Sequence, residues 1–374
     1  MKLIDAFPGI LTVAPVVWLL GAASSAAAEA LTLDEYFAHA LARSEVVATQ
    51  GELIRQAEER YQQAGAALRP TLDGIASYTW LDKGARDTSI NPTRQPNARL
   101  AATQPLFRGF REFAAIRQSQ ALVGAQGEDY RNAQTLLFKD VTQNFYDVLS
   151  LEQDLRNLHE QISQNREREK ELRDRVRIGR SRSGEMLTVQ STISTLRAQV
   201  EQLQAQLATA REVFAFLSGL TAATPLRDTE ILPANLDTIE AYLERLELRP
   251  DVKAAQLRLT AARENIAVAR GARQPSLDLN ANRYLERKGS LEEVDWDVQL
   301  ALTIPLYSGG SLQSQVREAV SQSTQAELNA SQVRRQAEQE IRSVYQSVLL
   351  DRSQIEALEM ATAAARKNYE VQRH

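Results

Sequence analysis

One sequence pattern occurs twice in the chain, and this internal repeat constrains the fold more than any other feature. Thr, Pro, Leu, an aromatic residue and Gly recur in the same order in residues 103–109 and 303–309. Further matched pairs are Ala64 and Ala269, Pro70 and Pro275, Asp73 and Asp278, Val141 and Ile341, and Phe145 and Tyr345. A repeat this long is a duplicated structural unit, so each half is expected to build the same elements.

The N-terminus has the pattern of an export signal. Lys2 precedes an apolar run that ends near Leu20, and Ala26, Ala27 and Ala28 form a small-residue cleavage site. We therefore predict a signal peptide over residues 1–28, with an N-terminal anchor helix as the alternative. Because the chain has no Cys, it has no lipid-attachment Cys, disulfide or thiolate metal site, which suits an exported protein.

Charge and motif content exclude several classes of protein. The chain has 44 basic and 48 acidic residues, which argues against a nucleic-acid partner that needs a large positive excess. The three His are not spaced as a metal pair, and no phosphate loop or nucleophile elbow is present. We predict that the protein is not an enzyme, with no catalytic, cofactor-binding or metal residues.

Two long intervals without proline predict long helices. No Pro lies between Pro105 and Pro225 or after Pro305, and both intervals are rich in helix-forming residues. We predict a long helix over 110–178, a return helix over 185–218 and a second long helix over 310–374. The first would be about 100 Å long at 1.5 Å per residue, which implies a rod or a tube.

Apolar residues in the first helix pair alternate spacings of three and four. The predicted seam comprises Leu151, Leu155, Leu158, Ile162, Leu172 and Val176 in the long helix, and Met186, Val189, Ile193, Leu196, Val200, Leu203, Leu207, Ala210, Phe214 and Leu217 in the return helix. This spacing is typical of a coiled coil.

Short segments with period two predict two β-hairpins, over 71–107 and 276–307. Residues 277–282 and 294–304 alternate apolar and polar side chains strictly, and residues in the first copy do so more weakly. Each segment has about the ten residues that a tilted strand needs to cross a bilayer. The alternative is a soluble hairpin with one buried face, but nothing else in the chain looks able to cover these faces.

The polar positions of the strands and the ends of the hairpins supply further predictions. The polar side chains predicted to face a lumen are Asp278, Asn280, Asn282, Asp295 and Asp297; the alternative is that they only form the wet half of an amphipathic strand. Two aromatic residues, Trp80 and Trp296, are predicted at the membrane interface. The residues predicted at the transitions from strand to helix are Pro105, Gly109, Pro305 and Gly309, because Pro cannot donate to a central ladder and Gly tolerates unusual φ.

The number of strands constrains the assembly. No stretch after the signal has the roughly 18 to 20 apolar residues of a membrane-spanning helix, so entry into a membrane would use the strands. Four strands cannot close, and open edges in lipid leave unpaired backbone groups at several kcal/mol each. Several chains are therefore expected to pool their strands into one barrel, since the smallest such barrels need about eight.

With these features the chain resembles the TolC family of outer-membrane efflux and secretion channels. The residues that carry the resemblance are Leu31–Leu33, Arg249–Val252, Pro70–Leu72, Pro275–Leu277 and the two Pro-Leu-aromatic-x-Gly sites. The predicted elements also follow the order of the family, which is helix, hairpin, long helix and return helix, and then the same order a second time. We predict a first structural repeat over 29–218, a linker over 219–238 and a second repeat over 239–374.

The resemblance implies a fold and a set of partners. The fold is mainly α with a pair of β-hairpins. A homotrimer is expected to form a twelve-stranded barrel in outer-membrane lipid, continued by an α-helical tube in the periplasm. It also implies a passive conduit for an efflux pump or a type I secretion system, docked to a periplasmic adaptor (membrane fusion) protein and an inner-membrane pump.

The second repeat departs from the family pattern. At the 200-residue offset its helix turn is expected near position 379, but the sequence ends at His374. We therefore expect the final return helix to be missing. The chain would be a fragment or a natural truncation, and a non-functional truncated channel is one alternative.

The turn of the first repeat is the predicted docking tip for the adaptor. The candidate residues are Arg175, Arg177, Gly179, Arg180, Arg182 and Ser183. The alternative is a solvated helix end, where cations are favoured by the helix dipole. A second function class, a periplasmic coiled-coil scaffold without a pore, explains the heptads but not the alternating strands.

Overall fold

The computed structural model describes residues 30–82, 92–231 and 235–373, so the predicted signal peptide lies outside the described residues. The helices are α1 (Leu33–Arg43), α2 (Glu45–Ala66), α3 (Arg111–Arg177), α4 (Ser183–Ser218), α5 (Ile239–Glu244), α6 (Pro250–Gly271) and α7 (Ser311–Arg373). The strands are β1 (Thr71–Trp80), β2 (Arg94–Phe107), β3 (Ser276–Arg287) and β4 (Trp296–Thr303). The predicted class is confirmed: the protein is mainly helical with a small antiparallel sheet.

The duplication is visible in the bounds of the elements. Helices α2 and α6 both have 22 residues, and their first residues, Glu45 and Pro250, are 205 positions apart. Helices α3 and α7 begin at Arg111 and Ser311, 200 positions apart. None of the helices in the described part of the chain has an apolar stretch long enough to span a membrane.

The chain divides into two compact units, which we describe separately. The described part of the first unit contains residues 30–36 and 144–229, and that of the second contains residues 37–143 and 230–373 with the gap at each undescribed segment. The second unit therefore combines the strands of both sequence copies. The repeat boundaries at 29–218 and 239–374 remain a prediction about the sequence.

Aromatic residues form the core of the first unit. The side chains of Tyr36, Phe145 and Phe214 are fully buried, and the rings of Tyr36 and Phe214 lie 4.7 Å apart. The hydroxyl of Tyr36 donates to Asn144 Oδ1 at 2.8 Å, and Asn144 Nδ2 donates to the carbonyl of Ala210 at 3.0 Å. This chain of hydrogen bonds satisfies a buried amide and joins α1, α3 and α4.

The predicted seam packs α4 against residues 144–177 of α3. Every seam position predicted from the heptads is buried or half-buried, and the residues between them are mostly exposed. Leu172 of α3 packs against Val189 and Ile193 of α4 in one buried cluster. Helix α4 ends at Ser218 and is capped by Gly219, whose φ of 73° is the left-handed conformation common after the last helical residue.

In the second unit, residues 111–143 of α3 contact both α2 and α6. Gln126 Nε2 donates to Gln50 Oε1 at 2.7 Å. On the other side, Arg117 forms an ion pair with Glu264 at 2.8 Å. Helix α6 also packs on α7, where Val252 and Ala337 are buried together. These helices lead directly into the strands, so their packing fixes where each hairpin begins.

We predict that Tyr36→Phe destabilises the first unit by about 1 to 3 kcal/mol, because Asn144 Oδ1 then lies buried without a donor. Burial raises the pKa of Tyr36 above its ordinary value of 10.0. The stability that depends on the neutral phenol is therefore complete below pH 10 and declines above it. Thermal unfolding of the wild type should show this extra loss above pH 10, and Tyr36→Phe should lack it. Tyr369→Phe, at an exposed residue, is the control; equal pH profiles for wild type and Tyr36→Phe would contradict the prediction.

Candidate functional site

The four strands form a single antiparallel sheet in the order β1-β2-β3-β4. Strands β1 and β2 are the first hairpin, β3 and β4 are the second, and β2 pairs with β3 to join them. Thr103, for example, lies opposite Asn280, which in turn lies opposite Gln299. Strands β1 and β4 are the two edges. The predicted hairpins are thus one surface, with two faces that run across all four strands.

One face of the sheet is apolar and exposed. The register places Leu72, Ala102, Ala281 and Val298 in one row across the four strands. The same face carries Ala76, Tyr78, Trp80, Ala98, Leu100, Leu277, Leu279, Trp296, Leu300 and Leu302. Val298, Leu300 and Leu302 are 57%, 61% and 61% exposed, so no described residue covers them. An exposed apolar surface of this extent marks an interaction with lipid or protein.

The two tryptophans lie on opposite edges of the sheet, each at the hairpin-turn end of its own strand. Trp80 is the last residue of β1 and lies opposite Arg94, whereas Trp296 is the first residue of β4 and lies opposite Arg283. Both side chains are exposed, and the Trp80 ring is 4.5 Å from that of Tyr78. The register continues the row of Trp296 through Arg283 and Leu100 to Gly74, six residues before Trp80 on β1, so the two rings do not share a row. The membrane-interface role of the pair remains a prediction.

The other face is polar and hydrogen-bonded. Asp278 forms an ion pair with Arg108 at 2.9 Å. Thr103 Oγ1 donates to Asn280 Oδ1 at 3.0 Å. The structure brings four of the predicted lumen residues together on this face, namely Asp278, Asn280, Asn282 and Asp297.

Asp297 is the centre of a cross-strand cluster on the polar face. Its Oδ1 accepts from Asn282 Nδ2 at 2.9 Å, and its Oδ2 accepts from the Tyr284 hydroxyl at 2.8 Å. The predicted strand over 294–304 begins too early, because β4 starts at Trp296 and leaves Asp295 just outside it. The Asp295 carboxylate forms an ion pair with Arg283 at 3.1 Å. Arg283 lies opposite Trp296 and therefore belongs to a row of the apolar face.

The transitions from strand to helix contain glycines with positive φ. Gly109 has φ 68° and Gly309 has φ 62°. Pro305 lies just after β4, but Pro105 lies inside β2, which is a central strand. The missing N–H is tolerated there because β1 pairs only as far as Thr103 and the register with β3 is irregular after Pro105.

Gly109 and Gly309, which occupy matched positions in the two sequence copies, differ in how closely other atoms approach them. A Cβ at Gly109 would overlap the Gly271 carbonyl and lie 2.7 Å from Gln274 Cβ, whereas a Cβ at Gly309 would meet nothing within 4 Å. We expect Gly109→Ala to lower stability by several kcal/mol, and Gly309→Ala by only about 1 kcal/mol from strain in φ. Thermal unfolding of the two variants side by side measures the difference. Equal losses would show that the approach of Gly109 to Gly271 is not tight.

The turn between α3 and α4 is built on Gly179. Its φ is 72°, its N–H donates to the Val176 carbonyl at 3.0 Å, and the Arg180 N–H donates to the Arg175 carbonyl at 2.8 Å. This pair of bonds is a Schellman motif, which requires a left-handed residue. Ser183 is the first residue of α4, two residues before the predicted start.

The arginines of the turn fall into two groups. Arg173 and Arg175 pair with Glu169 and Glu171 one turn earlier, at 2.7 and 2.5 Å, and Arg177 lies 3.5 Å from Asp174. Among the described residues, Arg180 and Arg182 make no ion pair. Arg180 and Arg182 are therefore the predicted tip cations without an ion pair in the described chain, and the docking role of all the tip residues stays a prediction.

Sequence reasoning missed the arginines of the polar face. Arg99 of β2 and Arg287 of β3 lie near Asp297, and Arg108 pairs with Asp278. The alternation of residues 97–103 places Arg99 on the polar face, so its position could be predicted from the sequence. The position of Arg287 could not, because an irregularity in the strand register lies between Arg287 and Tyr284.

The sheet with two unlike faces and the helical hairpin occur together in a known family. The sequence profile described as "Outer membrane efflux protein" matches residues 38–220 and 241–374. The chain belongs to this family. The predicted resemblance is therefore confirmed. The family and its member BepC are both described as outer membrane efflux proteins.

Individual members of the outer membrane efflux protein family are distant in sequence. The outer membrane efflux protein BepC of Brucella suis is 24% identical over 322 residues, 84% of this chain and 67% of its own. The protein CyaE of Bordetella pertussis is 26% identical and covers 70% of this chain and 57% of its own. The outer membrane protein TolC of Escherichia coli is 24% identical and covers 83% and 66%. The chain thus spans between 57% and 67% of the length of these relatives.

Solved structures of family members share the fold. A crystal structure of CusC superimposes with a TM-score of 0.74 at 20% identity, covering 90% of this chain and 82% of that one. The outer membrane protein VceC of Vibrio cholerae also gives a TM-score of 0.74, at 18% identity, covering 85% and 79%. At this identity the likeness establishes the fold alone.

Proposed function

We propose that the chain is one subunit of a homotrimeric outer-membrane channel that acts as a passive exit duct for an efflux pump or a type I secretion system. The observation that carries this proposal is the four-stranded sheet with an exposed apolar face and a hydrogen-bonded polar face. In a barrel the apolar face lies against lipid and the polar face lines a wet lumen. The names of the relatives, which include an efflux protein, TolC and CyaE, support the same role.

The edges of the sheet favour assembly from several copies. Strands β1 and β4 each have one side without a partner strand in the described chain. Unpaired backbone groups in lipid cost several kcal/mol each, so a barrel must close. Because β1 and β4 run in opposite directions, β4 of one copy can pair antiparallel with β1 of the next. Three copies supply twelve strands and leave no edge.

The helices supply the periplasmic part of the proposed channel. Helix α3 and the paired helix α4 meet at the turn around Gly179, which we assign as the tip that docks a periplasmic adaptor bound to an inner-membrane pump. Arg180 and Arg182 are exposed and form no ion pair with the residues that the structure describes, so they are the first candidates for the docking contact. The relative CusC is described as a cation efflux system protein, whereas the name of CyaE specifies no cargo. The proposal therefore does not name the cargo.

Cysteine cross-linking tests the assembly, since the chain has no native Cys. Asp73→Cys on β1 would be combined in turn with Asp297→Cys, Gln299→Cys and Ala301→Cys on β4. In purified outer membranes, at least one pair should give cross-linked dimers and trimers with no larger species. Thr103→Cys with Asn280→Cys, on paired central strands, is the control and should give only a cross-link within one chain.

The outcome separates the channel from the rival scaffold. A coiled-coil scaffold without a pore would leave the membranes in a salt wash and give no cross-link between β1 and β4. Either result would contradict the channel assignment. Retention in the outer membrane until detergent is added, together with the trimer, would support it.

A further inference from the structure

Two arginines lie close together on the polar face of the sheet. Arg99 of β2 lies opposite Tyr284 of β3, and Asn97 lies opposite Arg287, with a bulge between the two pairs. Arg99 and Arg287 are therefore diagonal neighbours, a spacing of about 7 to 8 Å that long side chains bridge. Bulges commonly redirect side chains next to functional sites.

The donors of this pair are largely unused. Arg99 Nε is buried and donates no hydrogen bond, and Asn97 Oδ1 is buried and accepts none. The Arg287 guanidinium lies 4.3 Å from the centroid of the Tyr284 ring. Neither arginine makes an ion pair with any described residue. Buried polar atoms in folded proteins normally have partners, so these orphaned atoms point to a ligand.

The charge of the cluster determines the sign of the charge on that ligand. Asp297 is the acid that interacts electrostatically with both Arg287 and Arg99. Both of its oxygens are already hydrogen-bonded, to Asn282 and to Tyr284. Two guanidiniums therefore face one carboxylate, since Asp73, the diagonal neighbour of Arg99 on β1, forms no ion pair with a described arginine. The group of Arg99, Arg287 and Asp297 has a net positive charge. An anion that brings its own acceptor oxygens fits this arrangement.

We propose that Arg99 and Arg287 form a binding site for the phosphate group of a solute that passes along the polar face. Guanidinium groups bind phosphate oxygens through paired N–H donors. A protonated phosphate oxygen can in addition donate to Asn97 Oδ1, which sulfate cannot do. This inference rests on the proposed function, because the polar face then lines the lumen.

Isothermal titration calorimetry with inorganic phosphate tests the site in the purified full chain, in nonionic detergent without phospholipid. The wild type should bind phosphate, and Arg99→Gln should weaken binding at least tenfold. Asp297→Asn should tighten it several-fold, because the competing carboxylate is removed. Arg283→Gln is the control: it removes an arginine of β3, the strand of Arg287, that pairs with Asp295, and it should leave affinity unchanged.

Several results would overturn the site. These are no phosphate binding by the wild type, unchanged binding by Arg99→Gln in a chain with wild-type circular dichroism, or weaker binding by a folded Asp297→Asn. Phosphatidylglycerol added to the same solution should leave the phosphate isotherm unchanged. Competition by the lipid would assign the site to a headgroup and overturn the lumen assignment.

Conductance across a planar bilayer separates this inference from the proposed function. Phosphate should reduce the current of the wild type and not that of Arg99→Gln. If no variant conducts while phosphate still binds, the channel proposal fails and the arginine site stands. If the wild type conducts and phosphate neither binds nor blocks, the arginine site fails alone.

Discussion

Val298→Arg is expected to abolish assembly in the outer membrane, whereas Gln299→Arg on the next residue of β4 leaves it intact. Val298 lies in the apolar row with Ala281 and is 57% exposed, while Gln299 lies opposite Asn280 on the polar face. A cation facing lipid near the midplane costs about 2 to 4 kcal/mol, and a trimer would carry it three times. On the polar face the same cation remains in water.

Comparing Val298→Arg with Gln299→Arg separates the effect of the face from the effect of introducing an arginine. Both introduce Arg into the middle of one strand, so β-propensity and local backbone effects are shared. Leu300→Arg, again on the apolar face, should repeat the failure of Val298→Arg. Density-gradient separation of membranes followed by gel analysis of unheated trimers gives the measurement. Equal damage from Val298→Arg and Gln299→Arg would show that the strand is not one-sided, and the barrel proposal would fall.

Periodicity alone predicted both faces of this strand and the seam of the helix pair. Alternation in 276–304 predicted Val298 and Leu300 on one face of the sheet and Asn280 and Asp297 on the other face, as the register shows. The spacing of three and four likewise placed Ile162 and Val189 in a buried seam. Such patterns are readable because burial of one face has a fixed period in each type of secondary structure.

Features that depend on contacts between distant segments were not predictable in this way. The pairing of β2 with β3 and the Arg108 ion pair with Asp278 each join residues of different repeat copies. The bulge next to Arg99 changes the phase of β3, so simple alternation places Arg287 on the wrong face. A period is a property of one strand, whereas a bulge is a property of a pair.

The turn arginines show a signal that was available but incomplete. Glu169 with Arg173 and Glu171 with Arg175 have the four-residue spacing that brings opposite charges together on a helix. That spacing alone predicts that Arg173 and Arg175 are paired within α3. It could not have shown which cations stay without a partner, because the turn geometry set by Gly179 decides that.

Arg180→Glu combined with Arg182→Glu is expected to reduce export to background while the trimer stays in the outer membrane. The two arginines make no ion pair in the described chain, so reversing their charge changes the surface presented to an adaptor and breaks no internal salt bridge. Ser183→Glu, at the first residue of α4, adds a negative charge where the helix dipole favours it and should also impair export.

The control separates docking from the shape of the turn. Arg173→Gln with Arg175→Gln removes the same number of cations from positions that are paired on α3 itself, and should preserve export. An acidic residue at Gly179 is a poorer probe, because its φ of 72° would make any side chain strain the Schellman turn. Cells that carry the cognate adaptor and pump would be assayed for cargo accumulation, with trimers quantified in the same outer membranes. Because the turn belongs to the first compact unit and the strands to the second, loss of export with full trimer would place the defect at the tip, and wild-type export would remove the docking assignment.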